Sequence, residues 1–253
     1  MIEILKVLIC IPFLIYACYS DIKTRRVSNR VWPLMLGAGS IFIIHDLVRY
    51  GLDHLIHLVL SFAFIFIFVY ILFYLNAFGG ADAKVLMVIS LIIPAYPVIE
   101  LADATLPIYG VPLINLFAFG VFTNSIILTV VVPLGLFIYN LIKLPLNEIK
   151  KNPFYLFIGY MHPISELGQR HLKLIEAYQE NNDGEVSSKF SRSGVDIDDR
   201  QLSTLRSYAK KGLIGDKVWV TPGLPFMIPI TAGFIAAVIF GDIIFHLTLN
   251  YLV

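Results

Sequence analysis

Asn76-Ala77-Phe78-Gly79-Gly80-Ala81-Asp82-Ala83-Lys84 is the stretch on which the reading of this chain turns. Long apolar runs flank it, Leu55 to Leu75 before and Val85 to Ile99 after. A glycine pair and then an acid therefore fall where one apolar segment stops and the next starts. A carboxylate at membrane depth costs about 2.5–3.5 kcal/mol on insertion scales, and an acid kept there points to function. The plainer reading is a turn with one solvated acid, Asp82, and one topology-setting lysine, Lys84. What separates the two readings is a second acid, Asp21, at the end of the first apolar run.

The rest of the chain has the character of those flanks. Of its 253 residues, 58% are hydrophobic and 15% are charged, and the mean hydropathy is +0.79. This composition excludes an ordinary soluble domain and indicates an α-helical polytopic membrane protein. The net charge is +1 and no basic face for nucleic acid stands out. The two cysteines, Cys10 and Cys18, both lie in the first apolar run. Their number and spacing suit neither a zinc site nor a disulfide framework, and packing is the expected role. Neither a metal nor a cofactor is expected.

A span needs about 20 apolar residues to cross roughly 30 Å of hydrocarbon. Six candidates follow: Ile2 to Ser20, Val31 to Ile44, Leu55 to Leu75, Val85 to Ile99, Leu113 to Ile142 and Pro225 to Val253. The first is read as a retained span, because Glu3 and Lys6 weaken any signal-peptide n-region and no small-residue cleavage site closes it. Gly37 and Gly39 suggest close helix approach in the second span. Pro94 and Pro97 end the fourth, and Pro133 suggests a kink in the fifth. Lys23, Arg25, Arg26, Arg30 and Lys84 mark the cytoplasmic side, as do the lysines after span five. Both termini then lie outside, and Asp21 and Asp82 share the cytoplasmic boundary. Trp32, Tyr16 and Tyr19 suit interfacial anchoring there.

Lys143 to Thr221 is polar and reads as a small α+β cytoplasmic insertion between spans five and six. Helices are expected over Ile164 to Tyr178 and over Ile197 to Lys211, the latter capped by Asp196 and Gly212. Glu180 to Gly194 reads as a loop, and Phe154 to Ile158 and Lys217 to Val220 read as short strands. The expected division is residues 1–142 for spans one to five, 143–222 for the insertion and 223–253 for span six.

Two carboxylates held close in a poorly hydrated site cannot both ionise, so they share a proton. The ionised one then draws a proton from water as that water attacks a carbonyl, while the protonated one stabilises the developing oxyanion. Asp21 and Asp82 are the candidates for this aspartyl protease chemistry. Gly79 and Gly80 would let a substrate strand come close to Asp82. Asp242, in the last span, reads as a polar contact between spans. His45, His54 and His57 read as a solvated outer loop rather than a metal site.

Three stretches give the chain a family resemblance. They are Asp21 followed by Lys23-Thr24-Arg25-Arg26-Val27-Ser28-Asn29, then Gly79-Gly80-Ala81-Asp82, then Trp219-Val220-Thr221-Pro222-Gly223-Leu224-Pro225-Phe226-Met227-Ile228-Pro229. The chain resembles the archaeal preflagellin peptidases, within the type IV prepilin peptidase-like family of intramembrane aspartyl proteases. The second stretch is similar to the Gly-x-Gly-Asp signature, with Ala81 standing at its third position. The resemblance implies Asp21 and Asp82 as the catalytic pair, supported by Gly79, Gly80, Ala81 and Asn29. It implies preflagellins or type IV pilin-like precursors as partners within the lipid bilayer, cut between a basic leader and an apolar helix. Four cysteines, which often accompany methylating members, are absent, so hydrolysis alone is expected. Two alternatives stay open: a presenilin or signal-peptide-peptidase type of protease, and a non-enzymatic ion or proton transporter. Acids of the insertion, among them Glu166, Glu176, Glu180, Asp183, Glu185, Asp196, Asp198 and Asp199, are candidates to attract a basic leader.

Overall fold

The computed structural model describes residues 1–75, 77–101, 104–169, 172–181, 185–222 and 226–252. Asn76, Asp183, residues 223–225 of the third family-like stretch, and both end residues of the sixth expected span lie outside the described residues. The chain divides into two compact units, Met1–Thr129 with Pro225–Val253, and Val130–Leu224.

In the first unit, α1 covers Ile2–Thr24 and ends where Arg25 turns left-handed, at φ 55°. The side chains of Ser20 and Thr24 both donate to the Arg26 carbonyl, at 2.7 and 2.9 Å, and hold that turn. Asp21 is thereby set in the last turn of α1. Helix α2 runs from Val31 to Tyr74, 44 residues, broken only at Gly51 (φ 63°, ψ −137°). The loop expected between spans two and three is thus a single glycine. Helix α3 covers Gly80–Ile92. It starts earlier than the expected fourth span and stops before Pro94. The tail of that expected span, residues 93–98, is irregular, and its last residue, Ile99, opens strand β1 (Ile99–Leu101), antiparallel to β2 (Ala104–Leu106). Prolines remove the amide donors and restrict the preceding residue, which ends the helix. Helix α4 covers Phe117–Lys143, with Pro133 inside it; its residues up to Thr129 belong to the first unit and those from Val130 to the second.

The second unit is built on an antiparallel sheet. Two short helices come first, α5 (Leu146–Lys151) and α6 (Tyr155–Ile158). Strand β3 (Tyr160–Pro163), a 3-10 turn (Ile164–Gln169), β4 (Leu172–Glu180), β5 (Val186–Asp196), helix α7 (Asp199–Lys210) and β6 (Lys217–Pro222) follow. The sheet order is β3-β6-β4-β5. The strand expected over Phe154 to Ile158 is therefore a helical turn, whereas the one at Lys217 is a central strand. The helix expected over Ile164 to Tyr178 is a 3-10 turn and then β4. Leu172 and Leu174 pack into one cluster with Leu205 and Val218, while Ile175 packs into another with Leu156 and Trp219. A strand buried on both faces loses its alternation, so its apolar spacing imitates a helix. The expected loop from Glu180 to Gly194 is largely β5, which pairs with β4 over Val186 to Phe190 and again, after a register shift, at Val195 and Asp196. The cap of α7 is Asp198, whose Oδ1 accepts from the Gln201 amide at 2.6 Å, and not Asp196. Gly212, at φ 72°, follows the helix as expected.

The chain returns to the first unit with α8 (Met227–Phe240) and α9 (Ile243–Leu252). The two are bent by 57° at their junction. Among the described residues, three helices are long and apolar enough to cross a membrane, α1, α2 and α4, or four if the bent α8–α9 pair is one crossing. Helix α3, at 13 residues, is too short to be counted with them. The core includes Cys10, Leu14, Met35, Ile65, Leu86, Ile89, Phe117 and Phe234, all fully buried. Trp32 belongs to this core at 4% exposure, so it is not the interfacial anchor expected, while Tyr16 and Tyr19 are exposed. Small residues permit the closest helix contacts. A Cβ at Gly39 would lie 2.6 Å from Ile92, and one at Gly233 would lie 2.6 Å from the Val121 carbonyl oxygen. Gly37 has nothing within 4 Å.

Candidate active site

Asp21 and Asp82 reach the site from different helices and different chain directions. Asp21 sits at the C-terminal end of α1, and its Oδ2 accepts from the Met227 amide at 3.3 Å. Met227 is the first residue of α8, where amides have no partner within the helix. Asp82 is the third residue of α3, and its Oδ2 accepts from the Gly79 amide at 3.2 Å. An acid in this place completes half of a capping box and suits the positive end of the helix dipole.

Asp82 feels the charge of Asp21. Asp82 precedes the apolar run that starts at Val85 and lies outside the elements counted as crossings. Burial pushes its carboxyl up to about 6, the negative charge of Asp21 adds to the rise, and the Gly79 amide opposes it. A carboxyl raised in this way keeps a proton at pH values where an ordinary aspartate has lost it.

The supporting positions differ in what they do. A Cβ at residue 79 would come 2.8 Å from Asp82 Oδ2, so a larger residue there would have to displace the carboxylate. A Cβ at residue 80 would meet only the Phe73 ring at 3.8 Å, an ordinary contact. Ala81 packs against the core at the start of α3. Asn29 accepts a hydrogen bond from Lys84 Nζ at 2.8 Å, which ties the basic loop after α1 to the N-terminal part of α3. Phe78, beside the glycine pair, stacks edge-to-face on Phe226, the residue before α8, with ring centroids 5.1 Å apart.

Asp242 stands apart from this arrangement. Its Oδ1 accepts from the Phe245 amide at 3.1 Å and caps α9. The polar contact across the break belongs to Asn124, which donates to the Gly241 carbonyl at 2.8 Å and accepts from the Ile243 amide at 2.9 Å. Backbone groups freed by a broken membrane helix need such a partner.

Two features escaped the sequence reading. The first is a buried ion cluster where a solvated histidine loop was expected. Lys6 lies 2.6 Å from Glu3 and 2.5 Å from Asp46, with His45 at 3.1 Å and His54 at 3.9 Å from Asp46. Lys6 is 4% exposed and Asp46 is 2% exposed. They border a cavity of about 290 Å³ that His54, His57 and Tyr96 also line. The available signal was Lys6, a lone cation within an apolar run, which demands a counter-ion. The second is Cys18, which the sequence assigns to packing. Its Sγ donates to the Met227 carbonyl at 3.2 Å and lies 3.0 Å from Thr231 Oγ1. No sequence signal pairs residues more than 200 positions apart.

Fold and site together define a helical membrane protein with a buried, raised carboxyl, Asp82, that feels the charge of a second acid, Asp21. The chain belongs to the Type IV leader peptidase family, whose profile matches residues 8–134, and a profile for the Archaeal Peptidase A24 C-terminus Type II matches residues 151–243. It is a peptidase, and the aspartic type fits that family. Both Asp21 and Asp82 fall within the first match. The chain is 26% identical over 254 residues to the preflagellin peptidase of Methanocaldococcus jannaschii, covering 94% of each. It is 27% identical over 238 residues to the preflagellin peptidase of Methanococcus voltae, covering 93% of this chain and 95% of that one. It is 24% identical over 238 residues to the preflagellin peptidase of Methanococcus maripaludis, covering 90% and 92%.

Proposed function

We propose that this peptidase removes the basic leader of preflagellins or type IV pilin-like precursors, with Asp21 and Asp82 as its catalytic pair. The observation that carries the reading is the raised carboxyl of Asp82, held up by burial and by the charge of Asp21. A pair that retains one proton up to about pH 6 supplies both halves of peptide hydrolysis. The ionised carboxylate takes a proton from the attacking water, and the protonated one donates a hydrogen bond to the scissile carbonyl oxygen. The tetrahedral intermediate collapses as the leaving amine takes up the proton drawn from the water, which returns the pair to its single shared proton. The pair titrates as a unit, so the roles belong to the pair until each proton is assigned.

The membrane layout that goes with this reading has six crossings. At about 1.5 Å per residue, a helix of the length of α2 reaches about 66 Å, roughly twice the hydrocarbon thickness. The break at Gly51 would then make two antiparallel crossings. The apolar run from Val85 to Ile99, α1, α4 and the α8–α9 pair supply the remaining four. Both acids then lie at the cytoplasmic face, beside Lys23, Arg25, Arg26 and Lys84. A leader junction emerging there is unwound and open to hydrolysis, whereas a peptide bond within a helix is shielded.

The test is cleavage of a purified preflagellin by the purified chain in detergent, read by mass spectrometry. Asp21→Asn and Asp82→Asn should each abolish cleavage while leaving the melting temperature within a few degrees. An active Asp82→Asn protein overturns the mechanism. A cut inside the apolar helix of the substrate would favour the presenilin type of protease instead.

A further inference from the structure

The backbone of Met227 is gripped from one face of α1 at two points. The Met227 amide donates to Asp21 Oδ2 at 3.3 Å, and the Met227 carbonyl accepts from Cys18 Sγ at 3.2 Å. Cys18 and Asp21 are three residues apart and so share a face of the helix. The thiol has a single proton. If it goes to the carbonyl, the 3.0 Å contact with Thr231 Oγ1 is a bond donated by the threonine hydroxyl to sulfur. Met227 is 1% exposed. The chain of bonds therefore runs in one direction, Thr231 to Cys18 to Met227, and Met227 in turn donates to Asp21.

We propose that Cys18, Thr231 and the Met227 backbone are a positioning device for Asp21, holding one carboxylate oxygen and leaving the other for the attacking water. The inference rests on the catalytic pair proposed above. A carboxylate at the end of a helix rotates about two side-chain bonds, and one fixed donor removes that freedom. The donor has to be fixed as well. The thiol fixes it from the neighbouring helix, and the threonine, one turn further along α8, fixes the thiol. A misplacement of about 1 Å in a reacting group costs on the order of a hundredfold in rate, so a looser grip should be felt in the chemical step. Substrate binding, by contrast, uses contacts this device does not make.

The test is steady-state cleavage of a preflagellin by the full chain in detergent, with thermal unfolding measured on each variant. Cys18→Ala should lower kcat roughly tenfold with KM within about twofold, in line with an interaction used in the transition state. Cys18→Ser keeps a donor to the same carbonyl and should recover most of the rate. Thr231→Val keeps the shape of the side chain and should lower kcat severalfold. Adding it to Cys18→Ala should cost nothing further, because the two act through one chain of bonds. Unchanged kcat in Cys18→Ala, a loss confined to KM, no recovery in Cys18→Ser, or full additivity would each overturn the inference. Should Cys18→Ala melt far below the parent, the Thr231→Val rates decide alone. If Asp21→Asn is inactive while Cys18→Ala and Thr231→Val match the parent, only the positioning inference fails. If Asp21→Asn cleaves normally, the catalytic pair itself fails.

Discussion

Lys84 Nζ donates to Asn29 Oδ1 at 2.8 Å, across 55 residues of sequence. Asn29 closes the loop that follows Asp21, and Lys84 lies two residues beyond Asp82. One exposed hydrogen bond thus joins the two segments that carry the proposed acids. A bond to a charged donor in such a place contributes about 1.5 kcal/mol at most, since water competes for both partners. Asn29→Ala is expected to lower kcat/KM by about two- to fivefold with little change in melting temperature. Asn29→Asp, which keeps the acceptor and adds an ion pair, should retain the rate. Equal loss in both variants would show that the bond plays no part.

The protonation of the pair gives a pH dependence with a defined sign. Asp82 is raised by burial and by Asp21 to about 6, so the proton it contributes is held below that value. It is lost as the pH rises through it, and Asp82 then carries a charge that the charge of Asp21 opposes. The same linkage makes the folded state lose stability between the ordinary aspartate range near 4 and about 6, because the unfolded chain gives up that proton more readily. Cleavage should therefore fall on the alkaline side of about 6, and melting temperature should decline over the same window. In Asp82→Asn the decline in melting temperature should disappear. A pH-independent rate from 5 to 8 would contradict the shared proton.

The parts legible in the sequence were those governed by long apolar runs. The runs that became α1, α2 and α4 were visible, and so was the placing of Asp21 and Asp82 at helix ends. What stayed hidden depended on partners distant in sequence. His45, Asp46 and His54 look like a wet loop until Lys6 is found beside Asp46. Ile175 and Leu174 look helical until the sheet buries both faces of β4. Ser187 and Ser188 look like loop residues because a strand at a sheet edge needs no apolar alternation once its backbone is paired. Met227 and Cys18 carry no signature at all, since a backbone amide and a lone thiol are the same in any sequence.

The Lys6–Asp46 pair makes a stability prediction separate from catalysis. Removing one charge of a buried pair leaves the other without compensation and costs about 3–5 kcal/mol, whereas replacing both by apolar residues is often neutral. Asp46→Ala should therefore lower the melting temperature sharply. Lys6→Met with Asp46→Leu should restore much of it. The rate per folded molecule should not change in either variant. A double variant no more stable than Asp46→Ala would mean that Glu3 or the histidines, rather than the pair, hold the cluster together.

Asp198 separates a structural acid from an electrostatic one. Of the acid group near α7, Asp196 pairs with Lys173 at 3.1 Å and Asp198 caps the helix. Asp198→Ala should cost about 1 kcal/mol of stability, the usual loss of a cap, with KM for a basic precursor unchanged at any salt. Asp198→Ser should restore the stability. A severalfold rise in KM at low ionic strength that fades with salt would instead assign this group to docking of the leader.

Gly79 and Gly80 stand side by side, yet the structure asks different things of them. A Cβ at 79 would sit 2.8 Å from Asp82 Oδ2, closer than carbon and oxygen approach without bonding, whereas a Cβ at 80 would meet the Phe73 ring at 3.8 Å. Neither glycine has a left-handed φ, so backbone conformation does not distinguish them. The difference is steric and falls on the proposed catalytic oxygen. Gly79→Ala must push the carboxylate aside or lengthen its bond to the residue 79 amide. The raised carboxyl of Asp82 then loses its geometry toward Asp21. A hundredfold fall in kcat is the expected order for a displacement of about 1 Å. Gly80→Ala, at the first position of α3, replaces a poor helix former by the best one, and should keep most of the rate with equal or higher melting temperature. Measuring kcat, KM and melting temperature on both variants distinguishes the two residues. Equal losses at both positions would mean that the pair serves only as a flexible connection, and that the space over residue 79 is not what orients Asp82.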